Sequence, residues 1–166
     1  MPARSDTVAL VGISSTVAVV DQLAKSLVAS TIGPGGLESR IEVVESWLVL
    51  EYTQNAGAAF GMLSGLVPIL TGASIAILMV LLLFYMRQAI PPPWQTVAIG
   101  LISGGALGNL IDRVRLGYVV DFLSVGPWPK FNIADSTITV GVLILIWGLT
   151  RPATAFGMAR ATDQGG

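Results

Sequence analysis

Four apolar stretches, Val8–Ala29, Gly65–Met86, Trp94–Ile111 and Phe131–Leu149, dominate the chain. Each approaches the ~20 residues that a helix needs to cross the hydrocarbon core of a bilayer. Pro68 falls in the first turn of the second stretch, where a missing N–H costs little. The third is short and rich in glycine, and follows a Pro91-Pro92-Pro93 break. Only 11% of the residues are charged, about half the ~25% of an average soluble domain, so lipid is the expected solvent. The first stretch carries Asp21 and Lys25, has a single Arg4 before it and lacks a small-x-small site after it, so it reads as an uncleaved helix.

These features predict an all-α membrane protein with four transmembrane helices, a single integral membrane domain over residues 1–166. The one sizeable loop, about residues 30–64, opens with a Gly33-Pro34-Gly35-Gly36 turn. Its Arg40–Tyr52 segment, rich in Val, Ile, Trp, Leu and Tyr, predicts a small β-rich element between helices one and two, lying at the membrane surface. The tail, residues 150–166, is small and polar and is expected to be disordered.

Four crossings put both termini on one side and the loops after spans one and three on the other. That parity gathers the polar residues. Asp21, Lys25, Asn55, Gly57, Asn109, Asp112, Arg113, Asp121 and Asp135 all fall at one face, spread over more than a hundred positions. The opposite face has Arg4, Asp6, Arg87, Arg151, Arg160 and Asp163, none inside a span. Lys and Arg number four on the termini side and five on the other. Lys25 and Arg113 have acidic neighbours; setting them aside leaves the termini cytoplasmic and the polar face outward.

With no His and no Cys, the chain lacks thiol nucleophiles, His-containing triads and the usual zinc ligands, so no cofactor is expected. The net charge of −1 offers no basic field for nucleic acid. Ionisable residues beside the membrane core are costly and mark functional sites. Asp121 sits among apolar neighbours with no adjacent base, and Asp135 lies in the first turn of span four, with only 13 residues between them. Alone, Asp135 is an ordinary helix cap. Together, two carboxylates can share a proton, one acting as base and the other as acid.

The other motifs read two ways. Asp21 and Lys25 form an i,i+4 pair that either lets a helix end tolerate charge or braces the site. Asp112 and Arg113 pair or anchor in head groups, or brace the same site. Asn55-Ala-Gly57-Ala-Ala-Phe-Gly61 is by itself a turn-prone loop entering span two. Gly100, Gly104 and Gly108 recur every four residues, a helix-packing face.

Four blocks, DQLAK (21–25), NAGAAFG (55–61), GGALGNLIDRVRLGYVVDF (104–122) and FNIADSTI (131–138), closely resemble lipoprotein signal peptidase, or signal peptidase II, in the right order and with matching spans between them. The resemblance implies a four-helix aspartic endopeptidase of the bacterial inner membrane. Such an enzyme cleaves lipidated prolipoproteins just before a diacylglyceryl-modified cysteine, and the cyclic peptide globomycin inhibits it. The implied catalytic pair is Asp121 and Asp135, with Asp21, Lys25, Asn55, Gly57, Gly108, Asn109, Arg113 and Asn132 as the accompanying motif residues. The connection Leu123–Lys130 is shorter than in many members, which bears on a flap near the pair and not on the pair itself.

Hydrolysis with these residues leaves a water activated by carboxylates, and either aspartate can take either role. The substrate would arrive sideways from the bilayer, with Trp47, Leu48 and Leu50 touching lipid. Three rivals remain at the level of sequence: a proton- or ion-coupled transporter using the same aspartates, a Ser–Lys hydrolase built on Lys25 with Ser103 or Ser136, and a non-catalytic scaffold.

Overall fold

The computed structural model describes residues 2–34, 36, 39–45, 47–56, 67–87 and 92–150; Gly57 and the tail beyond residue 150 lie outside them. The chain runs α1 (Arg4–Thr31), β1 (Ile41–Val44), β2 (Leu48–Asn55), α2 (Val67–Met86), α3 (Pro93–Leu116), β3 (Val119–Val125) and α4 (Ile133–Leu149). Among the described residues α1, α2 and α3 are long and apolar enough to cross a membrane, whereas α4 is a shorter apolar helix.

The central helix is α3, which packs on α1, α2 and α4. Without a hydrophobic drive between helices in lipid, close backbone approach supplies the attraction. The glycine face predicted for the third helix meets α1: a methyl group on Gly104 would fall 2.6 Å from Val17 Cβ and 2.7 Å from the Ser14 carbonyl oxygen. Ser14 Oγ, buried in the same seam, donates to the Gly100 carbonyl at 3.1 Å. The opposite seam repeats the device, with Gly105 facing the Ala134 carbonyl on α4. Outward residues such as Val11, Leu23, Leu27, Ile69, Val80 and Leu143 are exposed, the surface expected against acyl chains.

The three strands form one antiparallel sheet in the order β1-β2-β3. β1 and β2 are the element expected between the first two helices. β3 was not expected: it comes from the short connection between the third and fourth helices. Val119, Val120, Asp121 and Phe122 are all buried, so this strand shows none of the two-residue alternation that marks a half-exposed strand. Phe122 joins Val28 of α1 and Ile32, the residue that caps its C-terminus, in a buried apolar cluster, with Ile41, Leu50, Tyr52 and Ile133 packed against it. The sheet thus lies across the ends of α1 and α4.

Register matters here. Leu50 pairs with Leu123 and Thr53 with Asp121, so β2 has one extra residue between those two pairs. This bulge puts Asn55 and Asp121 on the same face as diagonal neighbours. A one-residue slip would turn Asn55 away from the carboxylate.

Candidate active site

Two aspartates are brought together by one asparagine. Asn132 is the N-cap of α4, and its side chain accepts from the Asp135 backbone N–H at 2.9 Å. Its own backbone N–H donates to Asp135 Oδ2 at 3.2 Å, completing a capping box. The Asn132 amide nitrogen also donates to Asp121 Oδ1 at 2.7 Å, and Asn132 is completely buried. The residue that starts the helix therefore holds both carboxylates at once. Asp135 does serve as a helix cap, and it uses only one of its oxygens to do so.

The remaining oxygens are also engaged. Asn55 Nδ2 donates to Asp121 Oδ2 at 2.8 Å, and Asn109 Nδ2 donates to Asp135 Oδ1 at 2.8 Å. Asp121 is 2% exposed. Burial raises its carboxyl pKa to about 6; the charge of Asp135 also pushes it up, while the bonds from Asn55 and Asn132 hold it back.

Behind this pair sits Lys25, whose ammonium lies 2.8 Å from Asp21, 2.9 Å from Asp112 and 2.8 Å from Asn109 Oδ1. All three of its protons have partners, so the Asp21–Lys25 pair is more than a tolerated charge at a helix end. Asp21 Oδ1 accepts from the Ala134 backbone N–H at 2.9 Å, which joins α1 to the first turn of α4. Gly108 permits that join: a methyl group there would fall 2.5 Å from Asp21 Oδ2. Asp112 does not pair with Arg113. It accepts from Gln22 at 2.8 Å and from the Val120 backbone N–H at 3.0 Å, tying α3 to the start of β3. Adjacent helical residues point about 100° apart, and Arg113 faces the other way. It reaches Ser74 of α2 at 3.4 Å and lines a cavity of about 220 Å³ with Asn109 and Asp135.

The structure thus gathers Asp21, Lys25, Asn55, Gly108, Asn109, Arg113, Asp121, Asn132 and Asp135 into one region. Gln22 and Ser74 join it without having been singled out by sequence, and Asp112 acquires a definite place. Of the two readings the sequence left for Asp112, the structure favours the brace: it stands three residues after Asn109 on the same helical face and holds Lys25. Gln22 offers only the weaker signal of a polar side chain in an apolar helix.

Residues 13–151 match the family model for signal peptidase (SPase) II. The chain belongs to the signal peptidase II family. A lipoprotein signal peptidase of Moorella thermoacetica is 41% identical over 139 residues, covering 82% of this chain and 89% of the relative. One from Staphylococcus haemolyticus is 38% identical over 153 residues, covering 90% and 94%. Two solved bacterial membrane enzymes share the fold. One gives a TM-score of 0.76 at 38% identity, covering 86% of this chain and 92% of the other. The second gives 0.74 at 34%, covering 95% and 94%. Its apolar helices and these neighbours make this signal peptidase II family member a membrane protein.

Proposed function

We propose that the chain is an aspartic endopeptidase of the bacterial inner membrane that cleaves prolipoproteins before a diacylglyceryl-modified cysteine. Asp121 and Asp135 activate the attacking water. The observation that carries this reading is Asn132, which bonds both carboxylates and so fixes them as a unit. Two close carboxylates do not both ionise cheaply, and one proton is shared between them.

The surroundings favour a division of roles. Asp135 stands at the N-terminus of α4, where the helix dipole and two N–H donors support a negative charge. Asp121 is buried on β3, and burial favours its neutral form. Asp135 takes a proton from water as the oxygen adds to the scissile carbonyl carbon, while neutral Asp121 donates a hydrogen bond to the carbonyl oxygen. Collapse of the tetrahedral intermediate returns the proton from Asp135 to the leaving amine.

The Ser–Lys alternative is weakened at its base, because Lys25 is engaged by Asp21, Asp112 and Asn109; Ser136 donates to the Asn132 carbonyl oxygen, whereas the Ser103 hydroxyl is buried without a hydrogen-bond partner among the described residues. The proposed topology has four crossings in one domain, with α4 as the fourth. At 1.5 Å per residue its 17 residues span roughly 26 Å, near the ~30 Å core. The termini are cytoplasmic, the site faces outward, and globomycin is the expected inhibitor.

The deciding experiment is a cleavage assay on lipidated prolipoprotein with Asp121→Asn and Asp135→Asn. Each variant is expected to insert and fold normally and to lose roughly 10³-fold or more in turnover. Appreciable turnover by either variant at normal expression refutes the pair.

A further inference from the structure

A second cavity, of about 250 Å³, opens on the other flank of α1 and α3. Gln22, Lys25, Tyr52, Asp112, Arg115 and Tyr118 line it. It shares no lining residue with the cavity beside Asp135. Of its two cations, Lys25 is fully engaged by Asp21 and Asp112, and the Asp112 carboxylate in the lining is in turn taken up by Lys25, Gln22 and the Val120 N–H. Arg115 is exposed and makes no hydrogen bond or ion pair with any described residue. An arginine fork without a carboxylate, in the last turn of a helix at the membrane boundary, is suited to bidentate recognition of a phosphate.

The neutral groups have capacity to spare as well. Tyr52 and Tyr118 meet hydroxyl to hydroxyl at 3.0 Å, so one phenol donates to the other and a phenolic proton is left over. That mutual bond and burial both raise the Tyr118 pKa above its ordinary value, which favours its protonated form. Gln22 commits its amide N–H groups to the Gly108 carbonyl and to Asp112, leaving its carbonyl oxygen as an acceptor. A guanidinium fork, a free phenolic proton and an amide acceptor converge on one opening.

We propose that this cavity is a binding site for a phosphodiester lipid head group of the surrounding leaflet, with Arg115 and the Tyr52–Tyr118 pair contacting the phosphate. The source is a lipid and not a free anion. Leu116, itself part of the lining, is 44% accessible, an apolar wall at the opening along which an acyl chain can lie. The inference does not depend on the catalytic reading, since the cavity's contacts are separate from Asp121 and Asp135.

The test uses purified full-length protein in neutral detergent, with bound lipid counted by native mass spectrometry. The probes are phosphatidylglycerol and diacylglycerol of matched chains, offered together. The wild-type protein is expected to retain the phosphatidylglycerol roughly tenfold better, the scale of one charge-assisted contact. Arg115→Gln is expected to abolish most of that preference. Tyr118→Phe, which leaves the helix untouched, is expected to reduce it in part. Equal retention of the two lipids by the wild-type protein overturns the proposal, as does an unchanged preference in both variants. The soluble head group glycerophosphoglycerol should bind at least roughly tenfold more weakly than the intact lipid, given about 0.8 kcal/mol for each buried CH₂. Binding as tight as that of the lipid overturns the assignment to a lipid source.

Discussion

Asn132 concentrates more of the proposed site than any other side chain, because it caps α4, bonds Asp121 and also donates to Asn109 Oδ1 at 3.1 Å. Asn132→Ala removes a cap, which costs about 1 kcal/mol, and also unties the two carboxylates. Turnover is expected to fall roughly 10²-fold or more, well beyond what the loss of stability explains, with melting temperature and cleavage rate measured on the same preparation. A second prediction concerns protons. Asp121 holds its proton below about pH 6 and releases it above, so if the neutral form is required, kcat/KM falls on the alkaline side with an apparent pKa near 6. A profile flat from pH 5 to about 8 would contradict the assigned roles. The aspartates were legible in sequence because ionisable residues stand out at the edge of apolar spans. The Asn132 bridge was not, since a cap looks the same whether it serves a helix alone or a helix and a distant strand.

Among the elements, the two glycine seams on α3 set how closely α1 and α4 approach and hence where Asp21 meets Ala134. Gly104→Ala places a methyl group 2.6 Å from Val17 Cβ and 2.7 Å from the Ser14 carbonyl. Backbone cannot yield as a side-chain tip can, so the substitution is expected to destabilise the protein by roughly 1–3 kcal/mol. A melting temperature equal to wild type in the same detergent would show the seam to be looser than described. This seam could be read from Gly100, Gly104 and Gly108, whose spacing matches the helical repeat. The third strand could not, because a short strand buried on both faces has no period to detect, and its partner β2 lies some 70 positions earlier.

For the whole molecule, the sheet lying across the helix ends puts the proposed site beside lipid. Exposed Trp47 and Trp128 lie at its far tip, where the Gly126 backbone N–H donates to the Trp47 carbonyl at 2.9 Å. Indole rings favour the boundary between hydrocarbon and water, so on the proposed function this tip sits where a substrate's acyl chains would meet the enzyme. Cleavage is therefore expected to require the diacylglyceryl group. Lipidated and unlipidated forms of one prolipoprotein, compared in detergent, decide the point, and equal rates would place recognition in the peptide alone.

The bonds that assemble the site join residues far apart in the chain: Asn55 to Asp121 across 66 positions, and Asp21 to Ala134 across 113. Both the bridging asparagine and one of the two carboxylates belong to the last helix. A chain whose first three helices alone have entered the bilayer already has every partner of Lys25, all on α1 and α3, but lacks Asn132, Asp135 and the bond from Ala134 to Asp21. On the proposed pairing, hydrolytic competence arrives only with the fourth helix, so a chain inserted as far as α3 is expected to be silent.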